Sequence, residues 1–176
     1  MRFAIIGNSG SGKSTLAKRL AGAIDAPILD LDTIAWEPGK IAEQRDPLLA
    51  RADVITFCSQ HLRWIVEGCY AALIATSLEY KPFLLFLDPG LEQCVSNCRS
   101  RPWEPHKYGS LEEQNRKLGF LLAWVEDYYR RPGDMSLSGH QAQFMAYKGQ
   151  KMHLTGWSDI EQAVLMAVNP PNRIET

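Results

Sequence analysis

The chain has 176 residues, 45% of them hydrophobic and 22% charged, and a formal net charge of −1. Such a length suits one domain, residues 1–176, burying roughly 70% of its unfolded surface. The near-neutral charge excludes a global field that would draw in nucleic acid or an anionic membrane, and no apolar run approaches the ~20 residues needed to span a bilayer.

The first element expected is a strand over Arg2–Ile6, a short apolar run. It leads into Gly7-Asn8-Ser9-Gly10-Ser11-Gly12-Lys13-Ser14-Thr15, a complete G-x-x-x-x-G-K-[ST] phosphate-binding loop. Leu16, Leu20 and Ile24 then recur on one face of a helix. Strand, glycine loop and helix form the context this motif requires. Its glycines let the backbone turn N–H groups inward around phosphates, and the helix N-terminus adds its dipole. Lys13 then reaches the outer phosphates, while the Ser14 hydroxyl ligates Mg²⁺. All nine residues from Gly7 to Thr15 are therefore candidates for binding a nucleoside triphosphate, ATP in the first instance, together with Mg²⁺. Residues 1–20 hold this loop and leave no room for a cleavable signal, so a cytoplasmic location is expected.

A second strand is expected over Pro27–Asp32, where alternation puts Asp30 and Asp32 on one side. A loop containing Trp36, Glu37, Pro38 and Gly39 follows, then a helix opened by Asp46-Pro47 that carries Leu48 through Phe57. Trp64–Glu67 reads as a third strand ending at Gly68, and Phe83–Asp88 as a fourth. Pro89 starts a helix running to about Arg101. Between Pro102 and Gly109 the composition turns to proline, aromatic and basic residues, which reads as a mobile connection. Ser110-Leu111-Glu112-Glu113 is a capping box for a long helix through Leu118, Leu121, Leu122 and Val125 towards Tyr129, ended by Arg130-Arg131-Pro132-Gly133. His140–Tyr147 is a further helix and Lys151–Leu154 a fifth strand. Ser158 and Glu161 form a second capping box for a last helix with Ile160, Ala163, Val164 and Ala167 on its apolar face, stopped by Asn169-Pro170-Pro171. This alternation argues an α/β fold with a parallel sheet covered on both faces.

Asp32, Glu67 and Asp88 fall at C-terminal strand ends, where open α/β sheets place their ligands. Glu67 and Asp32 are candidates, with Ser14, for holding the metal; Asp88, followed by Pro89, has helix capping as its other reading. Phosphoryl transfer needs alignment, Mg²⁺ and positive charge around the moving group. Lys13 supplies part of that charge, and Arg99, Arg101, Arg130 and Arg131 are natural suppliers of the rest. They flank segment 102–129 as two pairs, so residues 99–131 read as a lid that brings them together on closing. His106 and Lys107 read as solvated loop charges. Trp157, just after the fifth strand, is a candidate contact for the nucleotide base, the other tryptophans being packing residues. Arg45 and Arg51 are open between contacting an anionic acceptor and lying on a helix surface. Cys58, Cys69, Cys94 and Cys98 read as reduced thiols; Cys94 and Cys98 share a helix face, with His106 the one further candidate ligand in sequence.

The stretch Ala4–Trp36, with its phosphate loop and Leu31-Asp32-Thr33, resembles the adenylate-kinase-like P-loop kinases. It is most similar to the bacterial topology modulation proteins, the FlaR-like group. Their middle strand reads tryptophan, two apolar residues, an acid, glycine, any residue, tyrosine. Trp64-Ile65-Val66-Glu67-Gly68-Cys69-Tyr70 matches, with glutamate where that group has aspartate. The resemblance covers residues 1–101 and extends loosely to the rest. It implies a three-layer fold with strand order 2-3-1-4-5 and a helical lid, the Glu67 acid near Mg²⁺ or the attacking group, and Asp32 on the acceptor side. Asp30-Leu31-Asp32 is similar to the paired acids of shikimate kinase. The glycine-phenylalanine-proline-arginine run that holds the monophosphate in adenylate kinase is replaced by Gly68-Cys69-Tyr70-Ala71, and Arg99 and Arg101 are only two apart, which counts against AMP as acceptor.

The expected function is thus ATP-dependent transfer of a phosphoryl group to a small-molecule acceptor, a nucleotide or nucleoside included. The alternative is a P-loop NTPase or switch that signals its nucleotide state to a regulatory partner. A nucleic-acid partner or a membrane is not expected.

Overall fold

Trp64–Gly68 is buried along its whole length and sits in the middle of a parallel sheet, one strand from the edge. A computed structural model describes residues 1–37, 43–104 and 109–168 of the chain. Five strands, β1 (Arg2–Gly7), β2 (Ile28–Asp30), β3 (Trp64–Gly68), β4 (Phe83–Leu87) and β5 (Lys151–Leu154), form one sheet of order β2-β3-β1-β4-β5, all parallel. Eight helices are described around it: α1 (Lys13–Ile24), α2 (Asp32–Ala35), α3 (Pro47–Gln60), α4 (Ala71–Leu78), α5 (Leu91–Arg99), α6 (Leu111–Asp127), α7 (Leu137–Ala146) and α8 (Trp157–Val168). The strand order is the one expected, and it reverses direction of growth beside β1, where such sheets open a crevice at their carboxyl ends.

Strand periodicity divides the core in two. Ala4 and Ile6 of β1 join Val66, Leu84 and Phe86 in a cluster with α3 and α4, against which residues of α7 pack. Phe3 and Ile5 join Ile65, Leu85 and Leu87 in a second cluster with α1 and α8. Alternate residues therefore point to opposite helical layers, and both faces of the sheet are covered. Cys94 and Cys98 of α5 with Val125 of α6 make a third, smaller cluster.

Three local expectations are corrected. β2 stops at Asp30, and Asp32 opens a single helical turn rather than continuing the strand. The cause is local: Asp30 Oδ1 accepts from Asp32 N at 2.9 Å and the Thr33 hydroxyl donates to Asp30 O at 2.6 Å, side-chain bonds that bend the chain away from the ladder. Asp88 does not cap α5, whose N-terminus is Gly90 at φ +89°. The Ser158–Glu161 capping box does not form, because Ser158 already lies inside α8. Asp159 Oδ2 instead accepts from the backbone of Thr155 and Gly156, and Glu161 pairs with Arg19 at 2.8 Å. Helix α4 has no counterpart among the expected elements. The expected N-caps at Asp46 and Ser110 do form, their side chains accepting from Leu48 N and Glu113 N, and Glu113 reaches back to accept from Gly109 N.

Among the described residues no helix is long and apolar enough to cross a membrane. The expectations for Pro38, Gly39, His106, Lys107 and Asn169–Pro171 concern residues outside the described part of the structure.

Candidate active site

A cleft of about 810 Å³ runs along the carboxyl ends of the strands. Its floor is the loop Ser9–Thr15; Asp32, Glu67, Gly68 and Cys69 line it towards β2, and Asn97, Arg101, Thr155, Gly156 and Ile160 line it elsewhere. The sheet register explains the first grouping. Ile5 and Ile6 of β1 pair with Glu67 and Gly68, and Asp30 of β2 pairs with Glu67, so three neighbouring strands end side by side at the loop.

The loop's shape is enforced by close approach. A Cβ on Gly7 would lie 2.4 Å from Leu87 O, and one on Gly10 would lie 2.4 Å from Cys94 O and 2.7 Å from Cys98 Sγ. Gly10 and Gly12 also hold φ of +77° and +96°, a region that favours glycine. Two asparagines brace the loop: Asn97 Nδ2 of α5 donates to Gly10 O at 2.8 Å, and Asn8 Nδ2 donates to Val125 O of α6 at 3.0 Å. Lys13 is buried and its Nζ donates to Asn8 O at 2.9 Å. The Ser11 hydroxyl is buried without a protein partner. A concave loop with a lysine ammonium, no space for side chains and an orphaned hydroxyl fits an oxygen-rich polyanion.

Glu67 is only 3% exposed, and the Ser14 hydroxyl donates to its Oε1 at 2.6 Å. Burial raises its carboxyl above the usual range; Lys13 and the Ser14 bond oppose this, while Asp30 and Asp32 push it further up. Ser14 and Glu67 thus present a pair of hard oxygen donors beside the phosphate loop, a donor set that suits Mg²⁺. Asp32 is reached through a chain of hydrogen bonds. Trp36 Nε1 donates to the Tyr70 hydroxyl at 2.7 Å, which donates in turn to Asp32 Oδ1 at 2.8 Å. Burial and the neighbouring Asp32 raise the Tyr70 phenol, which keeps it a proton donor. Behind β3, His140 is fully buried with its Nε2 2.8 Å from Cys69 O and its Nδ1 2.8 Å from the Tyr128 hydroxyl. Burial lowers its pKa to about 4, so the ring is neutral at physiological pH and bridges the end of β3 to the end of α6.

The four arginines flanking the expected lid occupy different settings. Arg101 lines the cleft and pairs with Glu104 at 3.0 Å. Arg99 is exposed in the last turn of α5, and Arg130 is exposed beyond α6. Arg131 donates to Trp124 O at 2.6 Å and to Met135 O at 2.7 Å, with its guanidinium 3.6 Å over the Trp124 ring. Trp157 opens α8, and its side chain is outside the described part of the structure. Asp88 accepts from the Tyr129 hydroxyl at 3.3 Å. Arg45 pairs with Asp53 and Arg51 with Glu79. The four cysteines are free thiols, and burial raises Cys58 and Cys69 to about 12 and Cys94 to about 11.

Tyr70, Trp36, Asn97 and His140 were not singled out as site residues from the sequence. Only Tyr70 had a signal there, as the last position of the tryptophan-to-tyrosine run; the others are placed by long-range packing.

No protein-family model matches the chain, and no curated protein sequence matches it. Solved structures do. A gluconokinase from Sinorhizobium meliloti 1021 superposes with a TM-score of 0.54 at 16% identity, covering 95% of this chain and 90% of that one. A shikimate kinase from Bacteroides thetaiotaomicron gives 0.54 at 17%, covering 94% of each chain, and a sugar kinase from Janibacter sp. HTCC2649 gives 0.51 at 14%, covering 95% and 89%. At these identities the likeness establishes the fold, and the chain has the P-loop kinase fold of these neighbours.

Proposed function

We propose that this chain is an ATP-dependent phosphotransferase acting on the hydroxyl of a small molecule. The observation that carries this reading is that one cleft holds the phosphate loop, the Ser14–Glu67 oxygen pair and, towards β2, an anchored carboxylate at Asp32. The three fold neighbours named above, each a kinase by description, support it. The run Trp64–Tyr70 supports a narrower kinship with the bacterial topology modulation proteins, and a cytoplasmic location accords with the substrate.

In this mechanism the amides of Ser9–Thr15 and the Lys13 ammonium hold the triphosphate. Ser14 and Glu67, with Asp32 on the same cleft wall, would hold Mg²⁺, which would supply positive charge against the triphosphate. An acceptor hydroxyl oxygen forms a bond to the γ-phosphorus with its own electron pair. The bond from that phosphorus to the β–γ bridging oxygen breaks, and its pair leaves on ADP. The hydroxyl proton passes to the Asp32 carboxylate and then to water. Arg101, on the cleft wall, supplies charge to the transferred group, and closure of the lid would add Arg99, Arg130 or Arg131 and exclude competing water. Trp157 is proposed beside the base.

The test is ADP release from Mg·ATP with and without candidate nucleosides, nucleotides, sugars and hydroxy acids. Acceptor-dependent ADP with a phosphorylated product is expected. Acceptor-independent turnover would favour the hydrolase or switch reading instead.

A further inference from the structure

The two ends of a triphosphate on this loop differ in what surrounds them. The loop follows β1, and the Ser14–Glu67 oxygen pair stands on its β3 side, where Mg²⁺ would engage the outer phosphates. The inner phosphate and the nucleoside then extend the other way, over the ends of β4 and β5. There the same cleft is lined by Leu154, Thr155, Gly156 and Ile160, apolar side chains beside a polar turn, which suits a flat base.

One residue sets the polarity of that turn. Asp159 Oδ2 accepts from Thr155 N at 2.7 Å, from the Thr155 hydroxyl at 3.1 Å and from Gly156 N at 3.1 Å. These are all the donors that a threonine and a glycine possess. The Thr155 amide first, then its hydroxyl and Gly156 N, hold the Asp159 carboxyl below its usual range, so it stays an ionised acceptor. Gly156 O accepts from Ile160 N at 3.4 Å, at the start of α8. What the turn can offer a base is therefore acceptor oxygen, the Thr155 carbonyl and the lone pairs of its hydroxyl. A base edge gains here by presenting an N–H. The exocyclic amino group of adenine does so, whereas the oxo group of hypoxanthine or guanine would set lone pairs against lone pairs.

We infer that Asp159 is a specificity-determining residue: by drawing the donors of Thr155 and Gly156 onto itself, it makes the turn after β5 select an amino purine over an oxo purine. It acts through the turn and not by touching the nucleotide. Without its carboxylate the same donors are released, and the turn can bond an oxo group as well. This inference rests on the triphosphate site of the reading above and adds to it the residue that chooses the base.

Calorimetric titration of the full chain with Mg·ATP, Mg·ITP and Mg·GTP tests it, with the urea midpoint of each variant recorded alongside. ATP should bind about 10-fold more tightly than ITP or GTP. Asp159→Ala should bring the ATP-to-ITP ratio down to about 2, chiefly by tightening ITP. Thr155→Val leaves both backbone bonds to Asp159 in place and removes the hydroxyl acceptor, so it should lower the same ratio about 3-fold. A residue that served only to start α8 would, when replaced, weaken every nucleotide by one factor. An unmoved ratio in Asp159→Ala, or in Thr155→Val should the alanine variant not fold, therefore overturns the inference. Equal affinity for ATP and ITP in the unsubstituted chain overturns it too, and leaves the phosphotransferase reading standing. Absence of binding by all three nucleotides overturns both.

Discussion

The two ends of the cleft are made of different material. At the proposed triphosphate end the groups on offer are backbone amides of the consecutive residues Ser9–Thr15, and the surroundings force the loop's shape: Leu87 O and Cys94 O lie where a side chain on Gly7 or Gly10 would be. At the proposed acceptor end the groups are side chains from separate elements, Asp32 on α2 and Glu67 on β3, backed by Tyr70 before α4 and the buried His140 on α7. A backbone site is dictated by local chain stereochemistry, whereas a side-chain site exists only once the sheet has brought its strands together. The first end should therefore respond to substitution through binding and fold at once, and the second through orientation.

Mutations can break this comparison. Lys13→Ala should lower acceptor-dependent turnover by on the order of 10³-fold, because its ammonium acts on charge that develops in the transition state; unchanged steady-state ADP release would remove Lys13 from its assigned place. A second prediction concerns pH. The folded-state pKa of His140, about 4, lies below the ordinary value of 6.5, so between those values the unfolded chain binds the extra proton. This histidine's contribution to stability is present above pH 6.5 and is lost as pH falls towards 4, at about 1.4 kcal/mol per unit. His140→Gln should flatten that part of the acid-unfolding profile by about one proton, measured as the pH dependence of the urea midpoint; an unaltered slope would contradict the buried neutral ring.

Gly10→Ala tests the backbone end. A Cβ 2.4 Å from Cys94 O, at a φ of +77°, should destabilise the fold by about 2–3 kcal/mol and weaken ATP protection together. Loss of ATP binding with the urea midpoint unmoved would show that the loop is less tightly enclosed. Tyr70→Phe is the smallest change expected and the sharpest test of the other end. It removes the bond to Asp32 and leaves Trp36 Nε1 without its acceptor, so turnover should fall about 10-fold with ATP affinity intact. A parallel loss of ATP affinity would mean that the two ends are not separable.

Much of the architecture was legible because its signals are periodic and local. The short apolar run of β1 and the four-residue spacing of Leu16, Leu20 and Ile24 on α1 mark one strand and one helix, and the capping residues Asp46 and Ser110 mark helix starts. Where local chemistry competed, the reading failed. Asp30 bends the chain at Asp32 with its own side chain, and α8 starts at Trp157, ahead of Ser158, with Asp159 reaching back to accept from Thr155 N and Gly156 N. Helix α4 was illegible for a different reason. Ala71–Leu78 has few polar residues to set against its apolar ones, so no amphipathic stripe shows, and its cap comes from Asp134, whose Oδ1 accepts from Ala72 N at 2.6 Å across 62 positions of sequence.

By itself the sequence determined the phosphate loop, the parallel α/β class and the acids at the ends of β2 and β3, because each depends on neighbours within a few residues of the chain. The tertiary structure decided which of those acids is held and by what, turned Arg131 onto backbone carbonyls, and bound the loop to α5 and α6 through Asn97 and Asn8. Hydrogen bonds between residues 38, 87 and 117 positions apart have no local pattern to announce them; they appear only when packing has fixed both partners in space.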